Sequence, residues 1–97
     1  MQKGSIVVVK TLAGEEVIGR LASDYVSENE TVSLKQAFAV MFTPNQTIGL
    51  VPFMMSADDG SVVEIRKTAL AVYPRTASKR FEDGYLQQTS SIQLVKP

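Results

Sequence analysis

The segment Thr31–Phe42 alternates, residue by residue, between two sets of side chains. One set consists of Val32, Leu34, Gln36, Phe38, Val40 and Phe42. The other consists of Ser33, Lys35, Ala37, Ala39 and Met41. A period of two places successive side chains on opposite faces of a β-strand. The segment therefore predicts a long, half-buried strand with Phe38, Val40 and Phe42 in the core.

Four further segments have the composition of short strands separated by turns: residues 5–12, 16–26, 47–55 and 69–73. Gly19 has no side chain to pack, which predicts a bend or a close backbone approach. Pro52 cannot donate a ladder hydrogen bond, so it indicates a sheet edge or a bulge. Five strands with tight turns predict a mainly β fold, a small barrel.

The pattern changes after Pro74. Ser78 is suited to cap a short helix, with Phe81, Tyr85 and Gln88 on one side, although Gly84 is unfavourable in a helix. Residues 91–95 are expected to form a final extended segment. We therefore expect a barrel over residues 1–74 and a C-terminal extension over residues 75–97, packed on the same domain.

The composition excludes several kinds of chemistry. The chain has no cysteine and no histidine, so it has no disulfides, no thiolate or imidazole metal ligands, and no histidine base. Phosphate loops and nucleophile motifs are also absent from the sequence. We expect a protein that is not an enzyme and that needs no metal or cofactor. No apolar run is long enough to span a membrane, and we expect a cytoplasmic location.

Charge is unevenly distributed along a chain whose net charge is zero. Residues 1–65 contain four basic and eight acidic side chains, whereas residues 66–97 contain six basic and two acidic ones. The asymmetry indicates either an anion-binding face or mutual neutralisation of the two halves.

Free strand edges are expected at residues 7–9 and 69–73, which are apolar and rich in β-forming residues. Strand addition between copies would pair these edges, and a head-to-tail contact closes into a ring when the rotation permits. The predicted oligomer interface contains Val7, Val9, Leu70 and Val72.

Two short motifs resemble those of the Sm and Sm-like family. The first is a glycine, an apolar residue three positions on, a second glycine and a leucine, here Gly14, Val17, Gly19 and Leu21. In that family an acidic residue and an asparagine follow, and the matching positions hold Tyr25 and Asn29, with the acid displaced to Asp24.

The second motif is an apolar residue, a basic residue and glycine before a short strand. Here it is Ile65, Arg66 and Lys67, with lysine in place of glycine, and it is closest to the bacterial Hfq-type variant. The extra length before this motif predicts an enlarged loop at residues 56–64. The usual N-terminal helix is missing, and the C-terminal helix is expected to replace it. The resemblance covers about residues 5–74, and the whole chain looks like Sm-like proteins of viruses of marine cyanobacteria.

The resemblance implies a strongly bent, five-stranded Sm-like (SH3-type) barrel. It implies a homo-oligomeric ring of about five to seven copies that binds single-stranded RNA, or alternatively DNA, in RNA or DNA processing. In such a ring Tyr25 would stack a base, Asn29 would read its edge, Arg66 would pack behind it and Lys67 would attract phosphate. For a viral protein the location would be the host cytoplasm.

Each of these residues also has a simpler interpretation. Asn29 is a common turn residue, Tyr25 is a candidate core residue facing Leu21, and Arg66 is a candidate partner of Glu64 or Asp59. The alternative function is a phage structural or protein–protein assembly module that binds no nucleic acid.

Overall fold

The computed structural model of the chain describes residues 1–45, 47–58 and 61–95. Within these residues the chain forms six strands and one α-helix. The strands are β1 (Ile6–Thr11), β2 (Glu16–Leu21), β3 (Thr31–Phe42), β4 (Ile48–Pro52), β5 (Val62–Arg66) and β6 (Leu70–Thr76). A single 3-10 turn, Lys67–Ala69, separates β5 from β6, and helix α1 (Lys79–Val95) ends the described chain. The expectation of a mainly β fold is confirmed.

The number of strands differs from the expected five because β5 lies partly in the segment that was expected to be a loop. Its sequence does alternate, since Val63 and Ile65 pack against the core while Val62 and Glu64 are exposed. The enlarged loop is therefore shorter than residues 56–64. Its Asp59 and Gly60 lie outside the described residues.

All strand pairs are antiparallel, and the sheet order is β4-β3-β2-β1-β6. Strand β5 also pairs with β3, using its first half from Thr31 to Lys35, whereas β4 pairs with the second half from Phe38 to Phe42. Strand β1 lies between β2 and β6. The expectation of a free edge at residues 7–9 was therefore wrong, because both sides of that backbone are already paired.

A bulge at Gln36 divides β3 into its two halves. Gln36 has a left-handed backbone with φ of 49°, and the register with β2 shifts between Ile18 and Arg20. One extra residue in a strand transfers the following side chains to the opposite face. Leu34 and Phe38 accordingly belong to different hydrophobic clusters, so the expectation of one continuous face was wrong. Phe42, expected in the core, is 77% exposed.

The two clusters lie on opposite sides of the sheet, as successive residues of β1 show: Val7 belongs to the first and Ile6 to the second. The buried members of the first core are Val7, Val9, Val17, Leu21, Val32, Leu34, Ile65 and Leu70. The buried members of the second core are Ile6, Ile18, Phe38, Ala77 and Tyr85. Helix α1 contributes Tyr85 to the second core, so it covers one face of the sheet.

Helix α1 begins as expected, with the Phe81 amide 3.4 Å from the Ser78 hydroxyl oxygen. Phe81, Tyr85 and Gln88 face the sheet, and the Gln88 side chain donates to the Leu50 carbonyl at 3.2 Å. The expected extended segment at residues 91–95 is wrong, because the helix runs on to Val95. No proline or glycine lies between Gly84 and Val95, so the sequence contains no helix breaker there.

The expected barrel boundary after Pro74 falls inside β6, which continues to Thr76. The pairing with β1 shifts register between Val8 and Lys10, which leaves room for the proline. Proline is tolerated at bulges and in edge strands because its missing N–H is not needed there.

Tyr85 links the helix to the bulge in β3. Its side chain is fully buried, and its hydroxyl lies 3.1 Å from the Lys35 carbonyl oxygen and 3.0 Å from that of Gln36. The ring packs edge-on against Phe38 with the centroids 5.9 Å apart. A tyrosine hydroxyl has one proton, which these two carbonyl acceptors share, and the hydrogen bond stabilises the backbone at the bulge.

The close approach at Gly19 gives a prediction. A methyl group there would lie 3.1 Å from Leu34 Cβ and 3.3 Å from the Lys35 carbonyl oxygen, whereas nothing lies within 4 Å of one at Gly84. We expect Gly19→Ala to lower the free energy of unfolding by about 1–3 kcal/mol. The matched change Gly84→Ala should raise it by roughly 0.5–1 kcal/mol through helix propensity. Urea unfolding measures both, and shifts of the same sign would contradict this packing.

The Tyr85 contact gives a second prediction. Removing its hydroxyl in Tyr85→Phe leaves two carbonyls without that donor and should lower the free energy of unfolding by about 1–3 kcal/mol. The control is Tyr73→Phe. Because Tyr73 is 54% exposed, this variant should unfold at the wild-type urea midpoint. Equal midpoints for Tyr85→Phe and the wild type would show that the hydroxyl contributes nothing.

The same residue should make the fold sensitive to alkali. Burial raises the pKa of Tyr85 to about 12, although the charge of Arg20 opposes the shift. The unfolded chain loses this proton near the ordinary tyrosine pKa of about 10. The stabilising contribution is therefore complete below pH 10 and is lost as the pH rises through the folded pKa. Unfolding titrations should show this loss in the wild type and less of it in Tyr85→Phe.

Candidate nucleic-acid interface

Two segments that are distant in sequence meet at one end of β3. Thr31 pairs with Arg66, and the Lys67 amide donates to the Glu30 carbonyl at 2.9 Å. The end of the β2–β3 loop therefore lies against the turn between β5 and β6. Together they line a groove, named here the Arg66 groove, formed by Glu28, Asn29, Glu30, Thr31, Arg66, Lys67 and Thr68.

Asn29 lines the groove and also stabilises the loop. Its side-chain amide donates to the Asp24 carbonyl at 3.2 Å, and its backbone amide donates to the Val26 carbonyl at 3.0 Å. Both contacts are made to carbonyls of the same loop, which agrees with the simpler interpretation of Asn29 as a turn residue. The Asn29 carboxamide oxygen is an acceptor on the same side chain.

Tyr25 lies beside the groove rather than in its lining. The residue is half-buried and packs against the first core, which agrees with the simpler interpretation of a core tyrosine. Its backbone is held by the N-terminus, since the Tyr25 amide donates to the Met1 carbonyl at 2.8 Å and the Met1 amino group donates to the Tyr25 carbonyl at 2.9 Å. These contacts hold the backbone of Tyr25 against the N-terminus.

Lys67 connects the parts of the site. Its ammonium group donates to the Ser27 carbonyl and lies 4.8 Å from the ring centroid of Tyr73 and 5.9 Å from that of Tyr25. An ammonium group over an aromatic face is attracted by the ring quadrupole. Lysine at the position of the expected glycine thus joins the β2–β3 loop to β6.

Arg66 is exposed at the groove. Within the described residues Arg66 forms no ion pair with Glu64. The salt bridge in that part of the chain joins Lys79 and Asp83 of helix α1, with nitrogen and oxygen 3.4 Å apart. Asp59, the other partner considered for Arg66, lies outside the described residues. Arg66 lies at the end of β5, where its guanidinium group is able to meet a ligand in the groove.

Tyr73 is the residue that the sequence analysis missed. It is 54% exposed on β6 and in contact with the Lys67 ammonium group. A signal was present, since Tyr73 is the one aromatic residue within the basic segment 66–80, and aromatic side chains among basic ones are typical of single-strand binding surfaces.

The charges that line the Arg66 groove are balanced. Arg66 and Lys67 are its cations, and Glu28 and Glu30 are its carboxylates. Other basic residues of the C-terminal part lie elsewhere, with Arg75 on β6 and Arg80 in the first turn of α1. The basic residues of segment 66–80 therefore do not all line this groove.

The residues expected at an oligomer interface lie mostly inside the chain. Val7 and Val9 are 0% and 1% exposed, and Leu70 is 6% exposed, all in the first core. Their side chains fill the interior of a single copy. Val7 and Val9 also lie on a strand that is paired on both sides, whereas Leu70 lies on the outer strand β6. Val72 is 39% exposed on β6, whose pairing in the described residues is with β1.

Among the described residues no group of three or more His, Cys, Asp or Glu side chains is placed to hold a metal ion. No helix in the described part of the chain is long and apolar enough to cross a membrane. No protein-family model matches the sequence, and none of the curated proteins matches it.

Proposed function

We propose that the chain is a non-catalytic, Sm-like protein that binds single-stranded RNA, or alternatively DNA, as a homo-oligomeric ring. The observation that carries the proposal is the Arg66 groove. Asn29, Arg66 and Lys67 were selected from two separate motifs, and all three line this groove, with Tyr25 beside it.

The strand arrangement supports the Sm-like part of the proposal. Strands β4 and β5 pair with successive halves of β3 on one side, so they occupy one position in the sheet, as a single interrupted strand would. Counted this way the sheet has five positions, with a sharp bend at Gln36. Curling of this sheet into a barrel whose outer strands keep an edge available to a second copy is part of the proposal.

The groove chemistry supports a single-stranded nucleic acid as the ligand. A guanidinium group such as that of Arg66 binds phosphate and stacks on bases, and an asparagine carboxamide reads base edges. The exposed ring of Tyr73, beside the groove cation Lys67, offers a stacking surface that every base accepts.

Ring formation is supported by the two outer positions of the sheet. Strand β6 occupies one edge, and β4 with β5 occupies the other. Free edges favour pairing with another chain, and pairing of the two different edges in successive copies is a head-to-tail contact, which closes into a ring when the rotation permits.

One observation favours assembly without nucleic acid. Apolar side chains are exposed at the end of the β3–β4 hairpin, where Met41 is 52%, Phe42 77% and Ile48 43% exposed. Such a surface is typical of contacts between proteins, and the carboxylates of Glu28 and Glu30 repel phosphate. A protein–protein assembly module is therefore the second candidate.

Binding of labelled single-stranded RNA, followed by fluorescence anisotropy, tests the proposed function. We expect saturable binding that weakens as salt rises, because phosphate neutralisation releases counterions. Arg66→Ala should weaken binding by about tenfold and reduce the salt dependence. The control is Lys35→Ala, which removes the same charge from an exposed position on β3 outside the groove lining.

Equal losses in the two variants would contradict the groove assignment. No binding of uridine-rich, adenine-rich or mixed sequences by the wild type would reject the nucleic-acid function and favour the assembly module.

Light scattering tests the ring independently of RNA. We expect the wild type to have the mass of a multimer, because β6 pairs with a neighbouring copy. Val72→Lys places a charge on this edge strand and should lower the mass toward that of one copy. Lys10→Ala, on the interior strand β1, is the control and should leave the mass unchanged. A wild-type protein of 10.6 kDa in solution would contradict the ring.

A further inference from the structure

We infer that Tyr73, rather than Tyr25, is the base-stacking residue of this site, and that Lys67 is its positioning residue. The inference rests on the proposed nucleic-acid binding and names a further binding residue for it. It follows from the different surroundings of the two tyrosines.

Tyr25 is poorly placed to receive a base. Its ring packs against the first core, and its backbone is held on both sides by hydrogen bonds to Met1. The Lys67 ammonium group also lies on the approach to this ring, 5.9 Å from its centroid. A base could reach only the exposed part of this half-buried residue.

Tyr73 has the exposure that stacking requires. More than half of the residue is accessible to solvent, and it lies where the pairing of β6 with β1 shifts register, between Val72 and Arg75. The Lys67 ammonium group lies 4.8 Å from the ring centroid, so it occupies one face. An aromatic ring has two faces, and a base can stack on the face that the cation does not occupy.

Lys67 is itself held in place, which makes it suited to position Tyr73. Its ammonium group donates to the Ser27 carbonyl and its backbone amide donates to the Glu30 carbonyl. The first contact restricts the side chain and the second restricts the backbone, and the attraction of the ammonium group to the ring limits the rotamers of Tyr73 in turn. A stacking surface that is ordered before the ligand arrives loses less entropy on binding.

Lys67 also connects this ring to the groove. The same residue lines the Arg66 groove and contacts Tyr73. A nucleic-acid strand with a phosphate at the Arg66 guanidinium group can therefore place the adjoining base against Tyr73. The binding site thereby extends from the groove onto β6.

The experiment compares three variants of the full chain in the RNA anisotropy assay. Tyr73→Leu removes the ring and should weaken binding by about tenfold, the scale of one lost stacking contact. Tyr73→Phe keeps the ring and should bind within about twofold of the wild type. Phe42→Leu removes a ring that is 77% exposed at the other end of β3 and should also leave affinity unchanged.

Tyrosine emission provides a second readout, because the chain has three tyrosines and no tryptophan. RNA should quench this emission in the wild type through stacking on Tyr73. Tyr73→Phe should retain affinity and lose most of the quenching, a result that a merely structural role for the residue does not produce.

The outcomes separate the two proposals. If Arg66→Ala weakens binding and Tyr73→Leu does not, the assignment of Tyr73 is overturned while the proposed function stands. If the wild-type chain binds no RNA, both are overturned. A loss in Tyr73→Leu that Phe42→Leu reproduces would also overturn the assignment.

Discussion

The bulge at Gln36 is the constraint on which the rest of the fold depends. It lets one twelve-residue strand supply Leu34 to the first core and Phe38 to the second. It also lets β4 and β5 pair with different halves of that strand, and the β5 pairing brings Arg66 beside the β2–β3 loop. The Tyr85 hydroxyl lies within hydrogen-bond distance of the Lys35 and Gln36 carbonyl oxygens at this bulge. Helix α1 therefore contacts the bulge directly through Tyr85, in addition to covering one face of the sheet.

The sequence patterns predicted the local structure well where a single physical cause dominates. Alternation of apolar residues located β3, the missing side chain of Gly19 indicated the close approach, and the hydroxyl of Ser78 indicated the start of α1. Alternation did not predict the bulge, because the apolar residues keep their spacing of two on both sides of Gln36, the one polar member of that set. The interaction that stabilises it comes from Tyr85, which is far along the chain, so no local window contains both partners.

The candidate site shows the same division. The motifs selected Asn29, Arg66 and Lys67, and antiparallel pairing of β3 with β5 was enough to bring them together. The motifs did not select Tyr73, because its place beside Lys67 depends on the path of the chain through the 3-10 turn into β6. The interface residues Val7 and Val9 were misplaced for a related reason. An apolar, β-branched run is equally typical of a free edge and of a strand paired on both sides.

Charge balance in the Arg66 groove limits what one copy can contribute to binding. Two cations face two carboxylates, so general electrostatic attraction for a polyanion is small, and selectivity must come from stacking and hydrogen bonds at short range. A single stacking contact gives weak affinity. Several copies in a ring present the same contact repeatedly to one strand, and each bound base raises the effective concentration of the next. In the proposed function, assembly through the sheet edges is therefore the means by which a nearly neutral groove holds a nucleic acid.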